Sequence, residues 1–372
     1  MFWDNVLTSI KTKWNPAKST VIGIDIGTTK IAAVIAKLDS KSPEILGVAS
    51  IPFNGVTWSD INKTAITSEA INSVVNEACK EAGCPIPSAV VGISDITTGK
   101  NYTGVIHIKK RPASQRDVQR AVNAASEMII PEDLVMLDQV VNSFTLDGIE
   151  GIDDPLGNPC STLEALTHNV TCRRTVHEVV TAACKIARLN IIKMGVSEIA
   201  SASILLSCEE KKQGICLLDI GGEYTSIVVY VNGALHYSAS VPWGGNYLTS
   251  CIGLMLGLER VEAEKAKISF SKNAALTCNI SQLKAISCLL DERVNELCNL
   301  LNCEMNKNGL KEHLGAGIIV SGGTSSLPDL PDIFERGFAL PVRRADYQRE
   351  YWLKNVPLEY ASAVGLVLHG TK

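Results

Sequence analysis

A chain of 372 residues is too long for one ordinary domain, and its 46% hydrophobic and 20% charged residues fit a soluble globular protein with sizeable cores, excluding a disordered polymer. A formal net charge of −4 does not advertise nucleic-acid binding, and no apolar run approaches a membrane span. The twelve cysteines form no C-x-x-C pair and no metal-like cluster, so most read as small buried apolar residues in a reducing cytosol.

The N-terminus comes first. Placed on a helix, Phe2, Trp3, Val6, Leu7, Ile10 and Trp14 share one arc of about 140°. Asp4, Asn5, Thr8 and Lys11 take the other side, and Pro16 ends the pattern. Asp4 precedes the apolar residues and no continuous apolar region follows, which excludes a signal peptide. Such a helix docks either on the protein's own surface or on a membrane. Two Trp and a Phe in so short a terminus, with Lys11, Lys13 and Lys18 near anionic headgroups, favour an interfacial anchor.

Next is Val21-Ile-Gly-Ile-Asp-Ile-Gly-Thr-Thr-Lys30, an apolar strand with Asp25 near its end and a Gly-Thr-Thr turn. A second apolar strand, Ile31 to Leu38, follows at once, so the turn joins strand to strand. A Rossmann or P-loop glycine turn opens a helix instead. The construction returns at Ile215-Cys-Leu-Leu-Asp-Ile-Gly-Gly222, a polar turn, and Ile227 to Val231. Two such hairpins can cradle a phosphate chain from both sides: turn amides bind phosphate oxygens while Asp25 and Asp219 hold a hydrated Mg²⁺. That is the logic of an actin-type nucleotide site. A single turn of this kind would read equally well as an ordinary tight hairpin, and the duplication carries the argument.

Between the hairpins lie an extended segment at Ile45 to Ile51, a helix from about Ser68 to Glu81, and the strand Ala89 to Ile93. From Ser94 to Val170 the texture changes: a strand at Val105 to Ile108, a basic run Lys109-Lys-Arg111 expected on a solvated edge, and a helix opened by Ser114 and Asp117 at capping-box spacing. The turn-rich Leu146 to Gly157 and a strand, Leu163 to Val170, close what reads as an inserted subdomain. Val176 to Leu189 is helical, and Glu198 to Leu206 is a small-residue helix suited to close packing. Glu198 either orients an attacking water or is a first-turn acid favoured by the helix dipole. Asn232-Gly233 makes a hairpin turn into Ala234 to Val241. Helical segments run over about Tyr247 to Phe270 and Ser281 to Met305. Ala316 to Thr324 is a strand entering a Gly-rich turn whose bare backbone can lie against a purine, and Tyr360 to Leu368 is a last buried helix.

Five segments therefore follow the order of the actin, heat-shock-chaperone and sugar-kinase ATPases. The inserted LDGIEGIDDPLG and LEALTHNVT, with VPWGGNYLT and YASAVGLVLHG, resemble the FtsA family of bacterial cell-division proteins from about Val21 to Gly370. The resemblance implies an α/β, two-lobed actin-like ATPase fold, built of duplicated ribonuclease H-like domains with an FtsA-type insertion. The divisions it implies are 1–19 (amphipathic segment), 20–93 and 171–207 (lobe 1), 94–170 (insertion), 208–250 and 312–372 (lobe 2), and 251–311 (a shortened fourth subdomain). It places Asp25 and Asp219 at a water-mediated Mg²⁺; with Glu198, read above from its place at the start of a helix, these are the catalytic candidates. Gly27, Thr28, Thr29, Lys30, Gly221, Gly222, Glu223, Tyr224 and Thr225 then line the phosphates of ATP. Glu264 and Lys267 sit near the ribose and base, and Gly322, Gly323 and Thr324 near the adenine. The implied role is a filament-forming scaffold, assembled through the insertion on the cytoplasmic face of the plasma membrane at the division site. There it tethers FtsZ and recruits later division proteins, with no nucleic-acid partner.

Departures from the family pattern qualify that role. The second phosphate turn usually reads GGGTTDI and here reads GGEYTSI, which puts Glu223 beside the phosphates; hydrolysis is expected to be slow or absent. Ile199 stands where Pro is frequent, and Thr324 replaces a third Gly. The fourth subdomain lacks a clear strand pair. The usual C-terminal amphipathic helix is not found before Lys372, so the N-terminal segment is expected to replace it. The alternatives are a pilus-assembly scaffold of the same superfamily, a small-molecule kinase of the same fold, for which no catalytic Asp is evident, and a pseudo-ATPase that binds no nucleotide. Polymerisation would gather many weak anchors into firm attachment. Co-sedimentation with anionic liposomes is therefore expected to be strengthened by Mg·ATP and abolished by removing residues 1–14. A truncated protein that still pellets contradicts the relocated anchor.

Overall fold

A strand that is apolar on both faces can only lie inside, and Val21, Ile22, Ile24 and Ile26 do so at 0–2% exposure. The computed structural model describes residues 20–38, 43–53, 63–95, 97–271, 280–347, 353 and 355–369. The amphipathic segment 1–19, with Phe2, Trp3, Val6, Leu7, Ile10 and Trp14, lies outside them. The described residues fall into two compact units, one made of those within 1–204, 234–239 and 349–372, the other of those within 205–233 and 240–348.

The first unit begins with β1 (Thr20–Ile26), β2 (Lys30–Leu38), β3 (Pro43–Pro52), α1 (Thr64–Ala82) and β4 (Ser88–Ile93). The insertion follows as β5 (Thr98–Pro112), α2 (Gln115–Ala124), β6 (Leu134–Leu146), β7 (Ile149–Ile152) and β8 (Pro159–Arg173). The chain then returns through α3 (Arg174–Ile186), β9 (Ile191–Val196) and α4 (Ser197–Leu205). The sheet order is β3-β2-β1-β4-β9, with β1 antiparallel to β2 and parallel to β4, and β4 parallel to β9. Glycines let helices lie directly on this sheet. A Cβ on Gly47 would sit 2.5 Å from the Ala78 carbonyl oxygen of α1. α3 stops short of the expected Leu189 because Arg188 adopts a left-handed φ of 57°.

The second unit contains α5 (Cys208–Gln213), β10 (Ile215–Ile220), β11 (Thr225–Val231), the end of β12 (Ala234–Val241), α6 (Gly245–Leu256), α7 (Arg260–Ser271), α8 (Ile280–Lys307), β13 (Ile318–Ser321), α9 (Leu330–Phe338) and β14 (Val342–Arg344). Its strands β14-β13-β10-β11 repeat the order and sense of β9-β4-β1-β2. The duplication inferred from two Asp-Ile-Gly triplets is thus a duplication of topology. Asn232 and Gly233, at φ 54° and 85°, form the tight turn before β12. The helical run near Tyr247 to Phe270 is two helices, broken by Gly257 at φ 64°. Among the described residues of 251–311 there is no strand.

The last helix, α10 (Ala361–His369), belongs to the first unit. It lies so close to β1 that a Cβ on Gly23 would fall 2.1 Å from the Ala363 carbonyl oxygen. A Cβ on Gly365 would fall equally close to the Ala200 carbonyl oxygen of α4. The small residues noted in both helices are what this backbone proximity requires.

The insertion has its own core of Ile106, Ala121, Phe144, Leu146, Cys160, Leu163 and Ala165. Its sheet runs β5-β8-β6-β7. Ser114 caps α2 in a capping box with Asp117. The basic run is exposed, as expected, and within it Arg111 forms a two-pronged pair with Asp117 at 2.8 and 3.0 Å. That guanidinium, with the Ser114 hydrogen bonds, holds the Asp117 carboxyl well below the usual carboxylate range. At the junction with lobe 1, Asp95 accepts from the Arg173 guanidinium at 2.9 Å and from its backbone amide at 3.1 Å. Cysteine burial is narrower than composition suggested. Cys160, Cys172, Cys184, Cys216 and Cys298 are buried, whereas Cys208, Cys288 and Cys303 are exposed on helix surfaces.

His168 on β8 is fully buried, with Nδ1 2.7 Å from Asn101 Oδ1 and Nε2 2.9 Å from Ser238 Oγ. A neutral ring that donates to Asn101 and accepts from the Ser238 hydroxyl satisfies both contacts. Burial, helped by nearby His236, lowers its pKa from 6.5 to about 4. Between those values the unfolded chain binds the extra proton, so stability is complete above about pH 6.5 and lost as pH falls toward 4. The contribution is on the order of 3 kcal/mol. Urea unfolding at pH 7 and pH 4.5 is expected to show a smaller acid-induced loss for His168→Gln than for the unaltered chain.

Candidate functional site

In the first unit the β1–β2 hairpin is closed by Gly27 N–H donating to the Lys30 carbonyl at 3.1 Å, with Thr28 and Thr29 at the tip. Asp25 sits one residue before the end of β1, opposite Ala32 of β2 and Gly92 of β4. It is 9% exposed, and the Ser197 hydroxyl donates to its Oδ1 at 2.6 Å. Burial pushes the Asp25 carboxyl up, opposed in part by the Ser197 hydrogen bond and the charge of Lys30. The Lys30 ammonium donates to the Glu359 carbonyl at 2.6 Å, which ties the hairpin to the turn before α10. Glu198 is buried in the first turn of α4, next in sequence to the serine that holds Asp25.

In the second unit the β10–β11 hairpin closes in the same way, with Gly221 N–H donating to the Tyr224 carbonyl at 3.0 Å. Asp219 lies in register with Ser321 of β13, whose hydroxyl donates to its Oδ2 at 2.8 Å. Glu223 and Tyr224 are half-buried in the turn, and Thr225 is buried with its hydroxyl donating to the Trp243 carbonyl at 2.8 Å. The turn is gripped by the start of α6: Gly245 N–H donates to the Gly221 carbonyl at 2.9 Å and Asn246 N–H to the Gly222 carbonyl at 2.8 Å. Only glycine fits before them, since a Cβ on Gly244 would lie 2.5 Å from the Gly222 carbonyl oxygen.

The same helix start gathers the residues expected near ribose and base. Lys267 Nζ donates to the Gly245 carbonyl at 2.9 Å, to the Thr249 hydroxyl at 2.9 Å, and pairs with Glu264 at 2.8 Å. Thr249 also hydrogen-bonds Glu264. Thr324 donates to the Gly221 carbonyl at 3.3 Å. Gly322 adopts φ 84°, and a Cβ there would meet Asp219 Oδ1 at 2.7 Å. Gly323 faces open space and exposes bare backbone. Asp219, Gly221, Gly222, Glu264, Lys267, Gly322 and Thr324 therefore form one cluster within this unit. Ser197, Ser321, Gly244, Gly245 and Thr249 were not expected at the site; only the Gly-Gly of Trp243-Gly-Gly-Asn246 left a visible signal in the sequence.

The donor chemistry fits Mg²⁺, because carboxylate and hydroxyl oxygens are the ligands a hard cation takes. Among the described residues no group of three or more His, Cys, Asp or Glu side chains is placed to hold a metal directly. Carboxylate contact through the cation's own water is the compatible mode.

Comparison with known proteins gives the family. The model for "Cell division protein FtsA" matches residues 216–365, and that for the "SHS2 domain inserted in FTSA" matches residues 95–171. The FtsA protein of Pseudomonas aeruginosa is 29% identical over 371 residues, spanning 94% of this chain and 89% of that protein. The FtsA protein of Escherichia coli strain K12 is 26% identical, spanning 95% and 90%. Among solved structures, the PilM–PilN type IV pilus biogenesis complex superposes with a TM-score of 0.67 at 18% identity, covering 95% of this chain and 99% of that one. The ethanolamine utilization protein EutJ of Carboxydothermus hydrogenoformans gives 0.56 at 15% identity, covering 98% and 94%. At those identities the structural matches speak to fold alone, which is the two-lobed actin-like ATPase fold. With both family models matching in their proper order, this chain belongs to the FtsA family of cell-division proteins.

Proposed function

We propose that this chain binds ATP with Mg²⁺ and serves as an actin-like scaffold of cell division, polymerising through its insertion on the cytoplasmic face of the plasma membrane. In this reading it tethers FtsZ there and recruits later division proteins. The observation that carries the proposal is the duplicated hairpin: each unit ends a buried central strand in a carboxylate and a tight turn. In the second unit the surrounding elements are braced on that turn. Family membership supports the cell-division role.

Within this proposal the chain's own groups divide the work. Amides of the Gly27–Lys30 and Gly221–Tyr224 turns bind phosphate oxygens. Asp25 and Asp219 orient the water shell of Mg²⁺, which neutralises phosphate charge. Lys267 and Glu264 hold the start of α6 against the second turn and border the ribose, and Gly322 and Gly323 offer flat backbone to the purine. Glu198 stands as the candidate for orienting water. Glu223 adds a negative charge beside the phosphates, which weakens binding and suits a protein whose product is assembly rather than turnover. The membrane anchor is assigned to segment 1–19 on its amphipathic pattern.

Titration of a fluorescent ATP analogue in excess Mg²⁺ tests the nucleotide reading. Asp219→Ala is expected to weaken binding at least about tenfold, and Glu223→Gln to tighten it by about three- to tenfold. Failure of the unaltered chain to bind the analogue contradicts it.

A further inference from the structure

Both strand-end carboxylates are held by a serine hydroxyl, and the two units reach that contact by different routes. Ser321 lies directly opposite Asp219 on the neighbouring parallel strand and donates to Oδ2 at 2.8 Å. Ser197 comes from one strand further away. It follows β9, whose neighbour β4 presents Gly92 opposite Asp25, and it donates to Oδ1 at 2.6 Å. Each pair is given room by a glycine. A Cβ on Gly92 would lie 2.4 Å from Ser197 Oγ, and one on Gly322 would lie 2.7 Å from Asp219 Oδ1. Both serines are buried, at 1% and 7% exposure.

In both repeats a serine hydroxyl donates to one oxygen of the strand-end carboxylate, although the paths through the sheets differ. A hydroxyl bonded to one carboxylate oxygen restricts rotation about the Asp side-chain bonds and favours the ionised form. Resting on the Mg·ATP reading above, we infer that Ser197 and Ser321 are positioning residues, each fixing the plane of its own unit's aspartate, Asp25 or Asp219, for a hydrated cation before the nucleotide arrives. They act through the aspartates and do not themselves touch the metal.

The test titrates Mg²⁺ into the full chain with a fluorescent ATP analogue, alongside a second titration of the analogue in excess EDTA. Ser197→Ala and Ser321→Ala are each expected to raise the Mg²⁺ concentration at half-saturation about tenfold, the lower end of what a hydrogen bond to a charged group is worth. The EDTA affinity should fall by much less, so that the ratio of the two changes. Ser321→Thr keeps the hydroxyl and is expected to restore the Mg²⁺ midpoint. Unchanged midpoints overturn the inference. So does a fall in both affinities together with the melting temperature, which marks a merely structural role. An unaltered chain that shows no nucleotide binding at all overturns this inference and the nucleotide reading together, and its trace alone separates that failure from a failure of the serines.

Discussion

The structure turns on placing a carboxylate near the end of a strand that is otherwise wholly apolar. Burial disfavours the charged form of Asp25, and a serine hydroxyl opposes that penalty, while Asp219, half-buried, receives a serine hydroxyl in the same way. Everything around them serves that placement. β1 and β10 are flanked on one side by the antiparallel partner that completes the hairpin, and on the other by a parallel strand ending beside the acid. The carboxylate emerges at the carboxyl end of the parallel strands, where open α/β sheets leave ligands room.

Close backbone contact sets the precision of that arrangement. Gly23 lets α10 touch β1 two residues before Asp25, and Gly365 lets the same helix touch α4, which carries Ser197 and Glu198. A shift of any one of these backbones moves the carboxylate, the serine or the hairpin. In the second unit the corresponding brace is the start of α6. Its amides bond the carbonyls of Gly221 and Gly222 while Lys267 bonds its first carbonyl. Well-packed cores deform little, so rigid backing is a sound foundation for a ligand turn.

Much of this was legible in the sequence for definite reasons. Asp25-Ile-Gly27 and Asp219-Ile-Gly221, each between two apolar strands, announce a repeated hairpin because period and turn chemistry are local. The capping box at Ser114 and the Asn232-Gly233 turn are local too, and both were read correctly. The serine contacts were not legible, since Ser197 and Asp25 are 172 residues apart and Ser321 and Asp219 are 102 apart. Their pairing depends on strand order and register. Arg111 looked like one charge in a solvated run, and only the fold brings it to Asp117. The exposed cysteines were misjudged because composition ranks residue types and does not say which helix face a given residue occupies. The anchor proposed for residues 1–19 rests on sequence pattern alone.

The claim on which the account depends is that a strand-end carboxylate and its hairpin turn form a phosphate-binding element, as proposed for Asp219 and the Gly221–Tyr224 turn. The most direct measurement is a crystal structure of the chain grown with Mg²⁺ and a non-hydrolysable ATP analogue. The account predicts phosphate oxygens within hydrogen-bond distance of amides in the Gly221–Tyr224 turn, with the purine against Gly322 and Gly323. A nucleotide bound away from that turn, or none bound at saturating concentration, would contradict it.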